Sequence, residues 1–297
     1  MPDDFGFISS LLSVHRTDSN TPADVEKAWR SFPADGVRLQ LIAEADDGEP
    51  AGYGFARRYP EEMAGRMVVH VLVPPGARGH GVGGALLAAV ERFAAENGAA
   101  FLDSDVRDEN PAALDWARRR GYEILDHVFE STLSLAGFDE SRFTRPEGIR
   151  FFTLADSPGE ATERQAYEVE RAAAPDNPLY ALDAFPSFEA WRADWSGRPA
   201  ECLVLAADGD RIVGTTLLEL MPEEGAAYTG FTGVARDCRG RGVALGLKLH
   251  SFRVARQFGL LTMKTNNHAD NEPILAVNRK LGYVKTAGFY GLRKRLP

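Results

Sequence analysis

The stretch Asp237–Gly246, "DCRGRGVALG", leaves an apolar run and enters a helical one. An arginine leads, glycines recur at every second position, and an alanine closes the pattern: Arg239, Gly240, Gly242, Ala244. A strand that ends in a glycine turn and feeds a helix makes an anion site. The first turn of a helix has amides with no intrahelical acceptor, at the positive end of the helix dipole. Glycine admits positive φ and lets the backbone come close to a ligand. Arginine adds a planar, permanently charged fork. Such a turn is suited to holding a phosphate or pyrophosphate. A Walker loop is excluded, because no Lys-Ser/Thr pair follows the glycines. The dinucleotide fingerprint fits poorly, because arginine opens the loop and no βαβ unit with a ribose-binding acid follows.

Nearly the same stretch occurs at Gly76–Ala85, "GARGHGVGGA". Arg78 and Arg239 differ by 161 positions (239 − 78). The same offset separates Gly81 from Gly242, Asn110 from Asn271, and Gly121-Tyr122 from Gly282-Tyr283. Four landmarks at one offset mean two copies of one unit. Each half predicts a helix ("TPADVEKAWRSF", "ATERQAYEVERAAA"), then two strands joined by an acidic, glycine-bearing turn. A further strand ("MVVHVLV", "AYTGFTGV") runs into the glycine loop and an amphipathic helix. Leu86, Val90, Phe93 and Ala94 form one helical stripe; Leu245, Leu249, Phe252 and Ala255 form the other. A short strand, a second helix stopped by Gly121 or Gly282, and a closing strand complete each half. The polar stretch "GFDESRFTRPEGIR" marks the boundary, which divides the chain into 1–145 and 146–297. The fold class is α/β: two tandem domains, each a mixed twisted sheet flanked by helices.

Composition bounds the function. The 297 residues are 44% hydrophobic and 26% charged, as in a water-soluble globular protein. A net charge of −9 argues against a nucleic-acid partner, since such binding rests on basic surface. No apolar run is long enough to span a membrane, and the opening "MPDDFGFISS" lacks the basic flank of a signal peptide. A cytoplasmic location is expected. The two cysteines, Cys202 and Cys238, form no disulfide framework and no metal-ligand cluster, so no metal is expected.

The loops Arg78-Gly79-His80-Gly81-Val82-Gly83 and Arg239-Gly240-Arg241-Gly242-Val243-Ala244 resemble the Arg/Gln-x-x-Gly-x-Gly/Ala motif of the GCN5-related N-acetyltransferases. "ENPAALDWARRRGY" and "DNEPILAVNRKLGY" are similar to that family's second signature, an Asn, a helix and then Gly-Phe/Tyr. The resemblance covers nearly the whole chain, once per half, and points to the tandem members of the family. It implies two acetyltransferase-like domains and acetyl-CoA as co-substrate. The pyrophosphate would sit on the amides of residues 78–84 or 239–245. The pantetheine arm would run along the strand before the loop, near Leu72-Val73 or Gly233-Val234, where a free N–H would polarise the thioester carbonyl. Asn110 and Asn271 would contact the arm. The deprotonated acceptor amine would attack directly in a ternary complex, with most of the gain from proximity and polarisation. The family's usual tyrosine, four residues before Gly-Phe/Tyr, is absent from both halves: Ala117 and Asn278 stand there.

Strand phase assigns the chemistry to the second half. With period two, Met67, Val69 and Val71 share one face in the first half, and none takes a proton. The matching face in the second half is Tyr228, Gly230 and Thr232, with Asn278, Thr265, Asn267 and His268 expected nearby. Tyr228 is a candidate general acid or substrate contact. His268, an imidazole, and Glu219, at a strand end, are candidate bases. Asn278 is a candidate donor to the sulfur. Cys238 is read as structural, and His70 as a packed strand residue unless the register slips by one. By the resemblance, Val73, Arg78, Gly79, Gly81, Gly83 and Asn110 would be the matching cofactor contacts of the first half, which would bind CoA or act as a scaffold. Ala172–Trp195 is rich in proline and aromatics; the resemblance implies that it caps the acceptor cleft, and the alternative is a loop packed against the other half. The expected reaction is acetyl transfer to a primary amine, most simply of a small molecule. The alternatives are a non-enzymatic acyl-CoA-binding or regulatory protein, and an acetyltransferase for peptide amines.

Overall fold

The computed structural model describes residues 4–15, 21–60, 65–178 and 185–297. In chain order the elements are α1 (Phe5–His15), α2 (Pro22–Arg30), β1 (Val37–Glu44), β2 (Pro50–Arg58), β3 (Arg66–Leu72), α3 (Val82–Glu96), β4 (Phe101–Arg107), α4 (Pro111–Arg118) and β5 (Glu123–Ser134). There follow β6 (Ile149–Thr153), α5 (Glu160–Ala173), α6 (Phe188–Trp195), β7 (Leu203–Asp208), β8 (Arg211–Met221), β9 (Ala226–Val234), α7 (Val243–Gln257), β10 (Thr262–His268), α8 (Glu272–Leu281) and β11 (Val284–Arg295). The repeat seen in the sequence is a structural repeat. Helix α7 begins and ends 161 residues after α3 (243 − 82, 257 − 96), and β11 stands in the same relation to β5 (284 − 123, 295 − 134).

Two compact units result, residues 1–127 with 287–297, and residues 128–286. The strand order is β1-β2-β3-β4-β11 in the first and β5-β10-β9-β8-β7-β6 in the second. Phe289–Arg295 of β11 pair antiparallel with β4, and Val128–Ser134 of β5 pair antiparallel with β10. Each compact unit is therefore closed by a strand from the other half of the sequence. The division at 145/146 marks the repeat, whereas the compact units exchange its last strand. β5 and β11 are equivalent strands of equal length, 12 residues each.

Local signals explain the helix ends. Thr21 and Asp24 form a reciprocal capping box at α2. The Asn110 side chain accepts the Ala113 N–H at the start of α4, with Pro111 in the first turn. Gly282, at φ +88°, stops α8. In the second unit the strand period sorts two cores. Val204 and Ala206 of β7 face Leu247, Phe252 and Ala255 of α7. The alternate residues Leu203, Leu205 and Ala207 face Ala166 and Val169 of α5 and Trp191 of α6. The first unit has a matching core of Met67, Val69, Leu87, Val90, Ala94 and Leu102. Among the described residues no helix is long and apolar enough to cross a membrane.

Helix α7 lies close against β6 at one point. A Cβ added at Gly246 would stand 2.1, 2.6 and 2.8 Å from three ring atoms of Phe151. Gly246→Ala gains about 1 kcal/mol of helix propensity. It must also displace the ring, and overpacking costs about 1–3 kcal/mol or more. We expect net destabilisation of about 1–2 kcal/mol, read as a lowered denaturation midpoint with an unchanged m-value.

Candidate active clefts

In each unit two parallel strands pair briefly and then part. β9 and β10 pair from Ala226/Thr262 to Thr229/Thr265, and the Thr265 hydroxyl donates to the Thr229 carbonyl (3.0 Å) at the last rung. β3 and β4 pair from Arg66/Phe101 to Val68/Asp103. Beyond these points the inner strand edges have no ladder partner, and a cleft opens. The second cleft is a cavity of about 800 Å³, the first one of about 560 Å³.

Both clefts end at a glycine turn. Gly79 and Gly81 have φ +85° and +86°; Gly240 and Gly242 have φ +74° and +83°. The two loops thus share one left-handed pattern that favours glycine. A Cβ at Gly79, Gly81 or Gly240 would project into open space, so these glycines serve backbone conformation and close approach rather than packing. Each leading arginine folds back on the strand it follows. Arg78 Nε donates to the Val73 carbonyl (3.0 Å), and Arg239 Nε to the Val234 carbonyl (3.1 Å). Helices α3 and α7 begin at Val82 and Val243, so their first amides point out of the turn without intrahelical acceptors. A nest of free N–H groups, an unpaired strand edge and an apolar trough fit a nucleotide bearing an extended amide arm.

Val234, Arg239, Gly240, Gly242, Val243, Ala244 and Asn271 line the second cleft. Val73, Arg78, Gly79, Gly83 and Asn110 line the first. Gly81 shapes its loop as the residue before α3. Arg241 turns away: its guanidinium pairs with Asp208 (2.9 Å). Cys238 is buried beneath the loop, with N–H groups of Arg211 and Arg241 at 3.3 and 3.6 Å from its sulfur, a packing role. Asp176 lies at the second cleft's mouth, on Arg239 (2.7 Å) and Arg236 (2.9 Å). Hydrogen bonds from Arg236 and then Arg239 hold its carboxyl below the usual range.

The candidate catalytic residues are placed unequally. Tyr228 and His268 both line the second cleft. His268 is buried, and its Nδ1 accepts the Asp270 N–H (3.2 Å), which leaves the proton on Nε2. Asn278 is 3% exposed and reaches the cleft only through Asn267, whose Oδ1 takes its amide N–H (2.7 Å). Asn267 in turn donates to the Ser131 hydroxyl (2.9 Å). Glu219 stands directly across the ladder from Tyr228, exposed and 3.7 Å from Arg198. Of Ala172–Trp195, residues 179–184 lie outside the described residues. Ala173 and Asn177 line the cleft, whereas Phe188, Trp191 and Trp195 turn into the core beside Leu203 and Leu205.

The strand-face reading of the first half is corrected. Met67 and Val69, expected in the cleft, are 1% exposed and belong to the core. Val71 of the same face lines the cleft, and so does His70, 3.1 Å from Asp105. The cause is a bulge present in one copy only. On β9, Gly230 and Phe231 together oppose the single residue Leu217 of β8; β3 pairs with β2 without interruption. The Thr216 hydroxyl donates to the Phe231 carbonyl (2.6 Å) at this break. A shared offset therefore carries the loops from copy to copy, but not the strand faces.

Lys248 was missed. It is 1% exposed, lines the second cleft, and holds its ammonium 5.1 Å from the Tyr283 ring centroid. No ion pair compensates it among the described residues, and burial pushes its amine down to about 7. The signal was present: Lys248 interrupts the α7 stripe between Leu245 and Phe252.

The acetyltransferase (GNAT) family model matches residues 8–122 and again 165–283. The mycothiol acetyltransferase of Geodermatophilus obscurus is 29% identical over 296 residues, which cover 94% of this chain and 90% of that protein. The mycothiol acetyltransferase of Saccharomonospora viridis is 30% identical over 281 residues, 92% of this chain and 89% of that one. A GCN5-related N-acetyltransferase from Sphaerobacter thermophilus matches the fold with a TM-score of 0.74 at 24% identity, over 99% of this chain and 93% of its own. A tandem GNAT protein from the clavulanic acid biosynthesis pathway matches with a TM-score of 0.67 at 19% identity, over 99% and 94%. The chain belongs to the acetyltransferase (GNAT) family, as an acetyl-CoA-dependent N-acyltransferase.

Proposed function

We propose that the second cleft binds acetyl-CoA and passes its acetyl group directly to the primary amine of a small molecule. One observation carries this reading: a left-handed glycine nest closes a cleft that Tyr228, His268 and Lys248 also line. The amides at Gly240–Leu245 hold the pyrophosphate, and Arg239 fixes the turn. The free edge of β9 at Val234 takes the amide arm, with Asn271 on its other side. Six residues of β9, at about 3.3 Å each, put Tyr228 about 20 Å from Val234. The bulge at Gly230–Phe231 lies between them, and the Gly230 N–H is the one assigned to the thioester carbonyl.

Tyr228 is the group assigned to the acceptor or its proton, with Glu219 beside it to influence that proton. His268 offers an Nε2–H as a donor rather than a lone pair as a base. Asn278 acts at second hand, by setting the Asn267 amide. The first unit is assigned CoA binding through Val73, Arg78, Gly79, Gly81, Gly83 and Asn110. The relatives named mycothiol acetyltransferase make a mycothiol-type acceptor the first to test.

Gly240 sits at φ +74° with open space at its Cβ position. Gly240→Glu therefore sets a carboxylate and backbone strain in the nest, and is expected to weaken acetyl-CoA at this site by about tenfold or more. Calorimetric titration reads this directly, and unchanged affinity overturns the placement. Tyr228→Phe is expected to lower kcat by about 10²-fold with little change in the KM for acetyl-CoA; an equal loss in both would mean a structural role.

Lys248 gives a prediction on stability. Its amine titrates at about 7 in the fold, against about 10.4 in an unfolded chain. Between those values the unfolded chain carries a proton that the folded one lacks. Stability therefore rises with pH in that window, by at most about 1.4 kcal/mol per pH unit. Below it the charged amine is buried at full cost. Lys248→Met is expected to raise Tm most near neutral pH and below, with the gain fading towards about pH 10. A pH-independent gain would show that the amine is not the titrating group.

A further inference from the structure

In the first unit, β3 and β4 stop pairing after Val68 and Asp103. His70 and Asp105 stand two residues further on, one on each arm of the opening. His70 Nε2 lies 3.1 Å from Asp105 Oδ1, and the ring stacks on Phe55 with centroids 5.0 Å apart. Both side chains line the first cleft. The nest of Gly79 and Gly81 closes that cleft at its other end. Val73, which precedes the loop, is three residues or about 10 Å along the strand from His70. Nest and imidazole thus lie in line, in the order that an acyl-CoA requires: phosphate at the helix, carbonyl further along the strand.

The pair has no counterpart in the second copy. The positions 161 residues on are Phe231 and Asn266, so the repeat folds without a charge pair there. Packing alone does not call for a histidine beside a carboxylate in an apolar trough. A carboxylate hydrogen-bonded to an imidazole fixes its orientation and stabilises the imidazolium, which is the arrangement of a general base.

We propose that the first cleft is a second acyl-transfer centre, in which His70, oriented by Asp105, takes the proton of an attacking primary amine. In the step the amine nitrogen bonds to the thioester carbonyl carbon and the C–S bond breaks, with its electron pair leaving on sulfur. The proton passes from nitrogen to His70 and on to the thiolate, giving an amide and free CoA. His70 is the catalytic residue here, and Asp105 a positioning residue. The proposal rests on the reading that these nests hold acetyl-CoA, and it gives the first unit chemistry where that reading gives it binding alone.

The test uses the full chain with G240E blocking the second nest. The probes are acetyl-CoA with an amino acid, an amino sugar and a diamine, and thiol release is followed against an amine-free blank. G240E is expected to bind one equivalent of acetyl-CoA by calorimetry and to release thiol above the blank. Adding His70→Gln should keep the binding and cut release about 100-fold; His70→Asn serves if the glutamine variant loses binding. Adding Asp105→Asn should lower kcat and leave the KM for acetyl-CoA unchanged. G240E that releases no thiol above the blank, or G240E/H70Q that releases it as fast as G240E, overturns the proposal. Gly79→Glu, which blocks the first nest, separates the two readings. Release lost in G240E and kept in G79E sinks this centre and leaves the second cleft standing; the reverse outcome sinks the second cleft and leaves this one.

Discussion

Each unit of this protein depends on two parallel strands that pair for three or four residues and then part. Pairing is what a strand edge ordinarily does with its N–H and C=O groups, and an unpaired edge inside a protein is costly unless something else satisfies it. Here the edge beyond Thr229 and Thr265 borders a trough wide enough for a ligand's amide arm. The helix between the strands must start where the first strand ends, so its free amides face the mouth of the same trough. Cleft and fold are therefore one feature: separation of the strands, the left-handed glycine turn and the helix start occur together.

Having made this feature twice, the chain differentiated it. The second copy inserts a bulge at Gly230–Phe231, which turns Tyr228 and Gly230 towards the cleft. Its long helix carries Lys248 on the face that is otherwise apolar, and a hydrogen-bond chain runs from Asn278 through Asn267 to Ser131 beneath the cleft. The first copy has no bulge between β2 and β3, keeps Met67 and Val69 in its core, and shows His70 and Asp105 to its cleft. A buried amine with no counter-charge among the described residues and a carboxylate–imidazole pair both work against packing. Each places ionisable chemistry in an apolar setting at that cost.

The glycine loops were legible because their signal is local. Positive φ at Gly79, Gly81, Gly240 and Gly242 is a backbone demand that few residues but glycine satisfy. Arginine at the head of each loop bonds a carbonyl five residues earlier, within reach of the motif itself. The helix stripes were legible for the same reason, since a period of 3.6 is a property of the segment alone. The cleft side chains were less so. Strand phase is set by register against a neighbour, and one extra residue in β9 changes it. Glu219 and Arg198, or Asn278 and Asn267, meet only because distant segments are brought side by side.

The sequence by itself determined the tandem α/β organisation, the two glycine nests, the family and, through it, the use of acetyl-CoA, because repeat spacing and turn stereochemistry are written in neighbouring residues. Only the tertiary structure decided which residues face each cleft, that Lys248 is buried there, that His70 meets Asp105, and that β5 and β11 each close the sheet of the other half. The reason is physical: burial, register and strand partnership are relations between segments far apart in the chain, and a sequence pattern fixes them only where a local rule fixes the partner as well.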